Sequence, residues 1–484
     1  MLLPAARLLI VSVVSLLLIP AAWAQKAAAG SSSASPLRTW TDASGQHKVR
    51  ATLVKVEDGA AVLRRADNDV EVRIPLEKLS KLDQTWIARH PVAGPSSAAS
   101  GAAQGEWPCW LGPNHDGKSP DTGLLKEWPS AGPTLLWKVT DLGQGYSSVA
   151  VAGGAVYVTG EKDNQLWIRA FDLAGKQKWR IEHGPSCQAG GQAGSRGTPT
   201  IDGRNLYLLS GAGLLGCFDT ASGQPKWTCE AKQFGGGPGQ WGYAESVLIW
   251  GDMAIFKPGG QNCIVALDKR TGQKIWASHG FSAGPEYGSC LPIFRDGQKL
   301  LVTGTNEGLM CVNAANGAFL WGNPFSAHNT ANCPTPAYSD GYVFWANGYG
   351  KGGICIKVAR GGKASQAWTT PEMVCHHGGY VIDHGCIYGN HDNGWACLDL
   401  KTGRKMWQDK GVGKGSLCWA DGMLYLLSEQ SGHAALATCS PQGLRITGRV
   451  KVEGEGPSWA HPVVIGGRLY LRYDKNLYCF DVKG

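Results

Sequence analysis

The densest chemistry in the chain is Cys375-His376-His377, followed at short distance by His384, His391 and Asp392. A thiolate with several imidazoles is the donor set that Zn²⁺ or Cu prefers. Cys375, His376, His377 and His391 are therefore the candidate metal ligands. Two features oppose that reading. Adjacent residues on a strand point to opposite faces. His384 falls in a turn-like His-Gly pair, and His391 follows only after another strand-like run. The fifteen cysteines include no C-x-x-C spacing, so a thioredoxin-like pair, a zinc ribbon and a c-type haem site have no support. Ser, His and Asp residues are plentiful, but their order marks no hydrolase triad.

A second set of candidates lies in Gly-rich stretches that recur along the chain: 187–197, 234–245, 281–289, 324–332, 370–379, 411–415 and 453–461. These hold Arg196, Trp241, Tyr243, Glu245, Glu286, Tyr287, His328, Asn329, His376, His377, Lys414, Trp459 and His461. Aromatic rings, imidazoles and single charges make a binding site for a polar small molecule or a peptide when they converge. Convergence depends on what lies between the stretches.

What lies between them repeats. One copy runs Val156-Tyr157-Val158, then Phe171-Asp172, then a Gly175 turn and Trp179. Another is Val265-Ala266-Leu267-Asp268-Lys269-Arg270-Thr271-Gly272-Gln273-Lys274-Ile275-Trp276. The terminal tryptophans are Trp137, Trp179, Trp227, Trp276, Trp321, Trp368 and Trp407, 39 to 49 residues apart. A period of this size with four short strands per copy is a propeller blade. The paired turns at 153–154, 202–203, 251–252, 296–297, 340–341, 384–385, 421–422 and 466–467 count eight blades. Leu135-Leu136-Trp137-Lys138 reads as a last strand with no earlier strands, and Leu477-Tyr478-Cys479-Phe480-Asp481 as a third strand with no fourth. Pairing them completes the eighth blade and removes an exposed edge. The repeated Trp and Asp-x-x-Thr-Gly turns are scaffold: an apolar plate for packing and a tight turn. Cys217, Cys263, Cys311, Cys355, Cys397 and Cys479 recur in apolar runs and read as small buried hydrophobes.

Composition agrees. Gly is 68 of 484 residues and Trp is 20, while charged residues are 17%, below the usual ~25%. Such a chain is rich in turns and poor in helix. The net charge of +8 is scattered, with no basic stripe, which excludes a nucleic-acid reader. Arg7, the apolar run 8–19, and Ala22-Trp23-Ala24 before Gln25 read as a signal peptide over 1–24. Gln25 is not a cysteine, so a lipoprotein anchor is not expected. The mature chain should have no membrane span and act in the periplasm or outside the cell. A flexible linker follows over 25–37, a small β-barrel domain over 38–90, an Ala/Ser/Gly linker over 91–105, and the propeller over 106–484.

The repeat, best seen in Ala266-Leu267-Asp268, Thr271-Gly272 and Trp276, resembles that of the β-propellers built from pyrroloquinoline-quinone (PQQ) type repeats. That family includes quinoprotein alcohol dehydrogenases and an outer-membrane protein assembly factor without cofactor. Trp107-Pro108-Cys109-Trp110-Leu111-Gly112-Pro113, Leu142-Gly143-Gln144-Gly145-Tyr146-Ser147-Ser148 and Pro457-Ser458-Trp459-Ala460-His461-Pro462 resemble segments of exported bacterial members. Arg38-Thr39-Trp40-Thr41-Asp42 and residues 75–83 resemble the SH3-like homology domain of endocytic adaptors, which implies protein binding.

The resemblance implies an all-β chain: an eight-bladed propeller of four-stranded blades after a small SH3-like β-barrel. The quinoprotein pattern also implies adjacent cysteines, a Ca²⁺ held by carboxylate and amide oxygens, and an Asp base. This sequence has no Cys-Cys pair, and no Ca²⁺ ligand or base carries over to a numbered residue. The expectation is therefore an exported, non-catalytic scaffold that binds a protein, peptide or glycan at the channel mouth, with no assigned cofactor. The alternative is a PQQ-dependent or divergent alcohol or sugar dehydrogenase, with PQQ and Ca²⁺.

Overall fold

The computed structural model describes residues 37–57, 60–67, 71–89, 105–327 and 332–484. The expected leader and nearly all of both linkers lie outside these residues, as do His328 and Asn329. The chain divides into two compact units, 1–95 and 96–484.

The first unit is one antiparallel sheet of Arg38–Thr41, Lys48–Glu57, Ala60–Arg65 and Glu71–Pro75, in sequence order. A 3-10 turn, Leu76–Lys78, and the helix Lys81–Arg89 complete it. Ser80 starts the helix because its hydroxyl accepts from the Asp83 amide at 3.2 Å and donates to the Asp83 carboxylate at 2.8 Å. That carboxylate also accepts from the Thr41 amide and from Arg38, tying the helix to the first strand. Trp40, Leu53, Leu63, Leu79 and Ile87 form its core.

The second unit is a ring of eight four-stranded antiparallel sheets, one with an added fifth strand. Blade 1 runs Ala150–Ala152, Ala155–Lys162, Gln165–Asp172 and Gln177–Pro185. Most first strands are short and buried, and the fourth strands are largely exposed, so the blades run from the axis outward. The turn between first and second strands needs left-handed backbone. His384 takes φ 45° and Gly385 φ 76° there, and Asp421 and Gly422 take 48° and 76°. The eighth blade closes as anticipated: Thr134–Val139 pairs with Asn476–Asp481, with Trp137 opposite Cys479.

Strand register explains the periodic cysteines. Cys217 faces Trp227, Cys311 faces Trp321, Cys355 faces Trp368 and Cys397 faces Trp407. Ala266 and Ala170 hold the same position opposite Trp276 and Trp179. A small side chain is needed there because the indole lies across the sheet toward the next blade. Trp179 donates to the Thr220 carbonyl of that blade at 2.9 Å, and Trp227 to Lys269 at 3.1 Å. Cys263 departs from the pattern: it precedes its strand, with its sulfur 3.5 Å from Met310 Sδ. No disulfide joins any of the fifteen cysteines.

Residues 106–133 lie outside the four-stranded repeats: 107–119 cross the first strands, and 124–128 run on to Val482–Lys483 and to the outer strand of blade 7. Trp107 pairs with Val151, Pro108 accepts from the Ile201 amide, and Lys118–Ser119 adds a parallel strand beside Trp419 and Ala420. Lys118 also meets Asp383 at 2.7 Å.

Candidate functional site

Among the described residues, the loops that enter the first strands meet around one cavity, of about 280 Å³. Trp110, from the crossing segment, forms its floor. Trp110 donates to Thr335 Oγ1 at 3.1 Å and packs edge-on against His461 at 4.6 Å. It thereby spans from the fifth blade to the loop before the eighth.

Around the floor runs a belt of hydroxyls. Thr198 Oγ1 accepts from the Ser148 amide, Ser246 Oγ from Thr198, Ser289 Oγ from Ser246 and Thr335 Oγ1 from Ser289, at 2.9–3.0 Å. Ser148 Oγ in turn accepts from the His461 amide at 2.8 Å. Each of these hydroxyls precedes a first strand, so blades 1 to 5 each satisfy a backbone N–H of the blade before them.

One wall is a stack of rings. Tyr146 lies 4.3 Å from Trp459, Trp459 lies 4.2 Å from His377, and His377 lies 3.7 Å from His376, between ring centroids. Tyr349 continues the stack at 4.9 Å from His376 and is 71% exposed. Trp241, Tyr287 and Arg196 also line the cavity. The Arg196 guanidinium is committed to its own loop, donating to the carbonyls of Cys187, Ala189, Gln192 and Gly194.

Of the residues anticipated from sequence, Arg196, Trp241, Tyr287, His376, His377 and Trp459 meet at this cavity. Tyr243, Glu245, Glu286, Lys414 and His461 lie outside its lining. Tyr243 is buried and donates to the Pro258 carbonyl. Glu245 and Glu286 are buried around Lys257, whose ammonium donates to the carbonyls of Glu286, Gly288 and Gly304. Burial raises both carboxyls to about 7. Lys414 sits behind the wall, 3.3 Å from His376 Nδ1 and 3.0 Å from Glu429.

The metal set divides. His376 and His377 do not lie on a strand, as the alternation argument assumed; their loop bends so that both rings stack at the cavity. Their thiol neighbour is Cys333, from the preceding inter-blade loop. Cys375 points its sulfur at the Gly379 carbonyl, 3.5 Å away, and His391 Nδ1 accepts from the Val374 amide at 3.0 Å. His384 is in the hairpin turn with Asp383. Burial, then Lys414, lowers His376 to about 4, and burial lowers His377 well below the usual imidazole range and His461 to about 4. Burial also pushes the Cys333 thiol upward.

Sequence reasoning missed Trp110, Tyr146, Cys333, Tyr349 and the hydroxyl belt. The belt had a legible signal: a Ser or Thr shortly before each of several first strands. It also passed over one Gly-x-Ser-x-Gly string, Gly280-Phe281-Ser282-Ala283-Gly284. That string lies in an irregular loop, without the strand–turn–helix setting of a nucleophile elbow.

An eight-bladed propeller with an aromatic-walled cavity defines the class. The sequence model described as outer membrane protein assembly factor BamB matches residues 164–409, about half of the chain, and the chain belongs to that PQQ-like repeat family. Residues 29–93 match SLA1 homology domain 1. A search of the curated proteins returns no match. Among solved structures the chain is similar to BamB from Moraxella catarrhalis, at 16% identity and TM-score 0.54, covering 72% of this chain and 98% of that one. It is also similar to a europium-containing methanol dehydrogenase, at 11% identity and TM-score 0.58, covering 76% and 89%. At these identities the likeness is one of fold.

The quinoprotein relatives raise PQQ with Ca²⁺, and the residues present do not fit that pair. Ca²⁺ takes six to eight oxygen ligands, and no carboxylate lines the cavity. Its oxygen donors are neutral, the Gln192 amide and Ser, Thr and Tyr hydroxyls, several of them held in the belt; beside them stand a thiol and two imidazoles, and the Arg196 guanidinium already holds backbone carbonyls.

Proposed function

We propose that the chain is an exported binding protein whose propeller seats a side chain of a protein partner in the axial cavity. The observation that carries this reading is the cavity itself: aromatic-walled, with the chain's own Trp110 built into its lining. Such a pocket desolvates an inserted apolar or aromatic side chain and holds it by stacking. A sugar ring suits it less. Each buried sugar hydroxyl needs a partner, and the polar groups on the wall are largely engaged in the belt and in the Arg196 loop. The SLA1 homology domain supports the same reading, because a second binding module raises avidity through effective concentration. The leader-like segment 1–24 supports export.

The test is peptide display against residues 25–484, with Trp241→Ala and Trp459→Ala chains as counter-selections. The expected result is enriched peptides that share one aromatic or aliphatic position and lose at least about tenfold in affinity on either variant. Failure to enrich, or glycan-array binding with the same dependence on Trp459, would overturn the proposal.

A further inference from the structure

Cys333, His376 and His377 come from two consecutive inter-blade loops, and their donor atoms all lie within 4.8 Å of one another. We propose that these three residues form a Zn²⁺-class metal site whose fourth position opens into the cavity. This goes beyond partner binding and does not depend on it.

Distance supports the assignment. Donors at the corners of a triangle with sides of 4.8 Å lie about 2.8 Å from its centre. Zn–N and Zn–S bonds are about 2.0–2.3 Å. On one face of a tetrahedron each donor lies about 1.9–2.2 Å from that centre, so an inward shift of about 0.6–0.9 Å per donor, within reach of side-chain rotation, brings all three onto one ion. Donor chemistry supports it as well: one thiolate and two imidazoles select Zn²⁺ over the hard cations. A second observation points to a ligand. His377 Nδ1 is buried and makes no hydrogen bond. All three residues line the cavity, so the coordination position they leave faces space rather than protein.

Lys414 opposes the ion. Its ammonium lies 3.3 Å from His376 Nδ1 and is held by Glu429 at 3.0 Å. For His376 to bind the ion through Nε2, Nδ1 must carry the ring proton and Lys414 must turn fully onto Glu429. Binding then releases the Cys333 thiol proton to solvent, and a water completes the tetrahedron.

The experiment uses the chelator-treated, reduced mature chain, titrated with Co²⁺ as a visible stand-in and then with Zn²⁺. The expected result is a thiolate-to-cobalt absorption band that saturates at one equivalent and is displaced by Zn²⁺. The band should vanish in Cys333→Ser and His377→Ala, persist in Cys375→Ser and His391→Ala, and resist a competing chelator at about tenfold higher concentration in Lys414→Gln, which removes a like charge. Alkylation of the wild-type chain gives a reading that needs no variant: Zn²⁺ should protect Cys333, located by mass spectrometry. Absence of a band at micromolar cobalt, a band that survives Cys333→Ser, or Cys333 alkylation unchanged by Zn²⁺ would overturn the site.

Discussion

The indole of Trp128 packs on Gly448, at the position where the other seven blades carry a tryptophan of their own. Gly448 pairs with Leu436 in the register that puts Trp227 opposite Cys217. A Cβ added to Gly448 would sit 2.5 Å from Trp128 Cβ and 2.7 Å from its Cγ. Trp128 lies 6.0 Å from Tyr425, the separation of Trp137 from Tyr470 and of Trp179 from Tyr157. The crossing segment thus supplies the missing plate of blade 7 from outside the repeat.

Trp128→Ala should therefore cost about 3–5 kcal/mol, as for a buried aromatic elsewhere. Gly448→Ala should also destabilise, because its Cβ meets the indole. The double variant Trp128→Ala/Gly448→Trp should recover part of the loss, since the new indole enters the vacated space. Urea unfolding midpoints of these chains and of Gly448→Trp alone check this. A double variant no better than the sum of its singles would show that the two positions do not share one site.

The hydroxyl belt predicts a position-specific loss. Ser246→Ala removes the acceptor of the buried Thr198 amide. An orphaned buried donor costs about 1–3 kcal/mol. Ser246→Thr keeps the oxygen and should lie much closer to wild type. Thermal melts distinguish the pair, and amide exchange at Thr198 should speed up only in the alanine chain.

Glu286 gives a pH signature. Its carboxyl is raised from 4.5 to about 7, first by burial, so the folded state holds a proton that the unfolded state has released between those values. Stability from this group is present below about pH 4.5 and lost as pH rises through about 7. The full effect is roughly 3 kcal/mol at 1.36 kcal/mol per unit. Glu286→Gln should thus stabilise the chain at pH 8 relative to wild type, with the advantage shrinking toward pH 5. Melting temperatures of both chains across pH 5–8 measure it; a constant difference would remove the carboxyl from this role.

Lys118 anchors the crossing segment to blade 6 through Asp383, whose side chain is 10% exposed. Lys118→Met leaves that carboxylate hydrogen-bonded to the exposed His384 but without its lysine. Breaking such a pair from one side costs about 3–5 kcal/mol when fully buried, and less here because Lys118 is part-exposed. The double variant Lys118→Met/Asp383→Leu should be less damaged than Lys118→Met alone. Limited proteolysis across residues 111–126 reports whether the segment has loosened.

The repeat was legible in the sequence, down to eight blades and the pairing that closes the ring. Those features rest on local signals: alternating apolar residues, left-handed turn pairs, and a tryptophan at a nearly constant spacing. They recur, so each copy checks the others. The loops that build the cavity have no period, because their lengths answer to no strand register. Sequence proximity suggested Cys375 and His391 as partners of His376, and the ring instead brings Cys333 there from an earlier loop. Trp110 and Trp128 lie outside the repeat, and no local pattern says that one will floor the cavity and the other complete a blade. Strand identity is decided by neighbours a few residues away. The mouth of a propeller is decided by closure, which places residues hundreds of positions apart in contact only once every blade is in place.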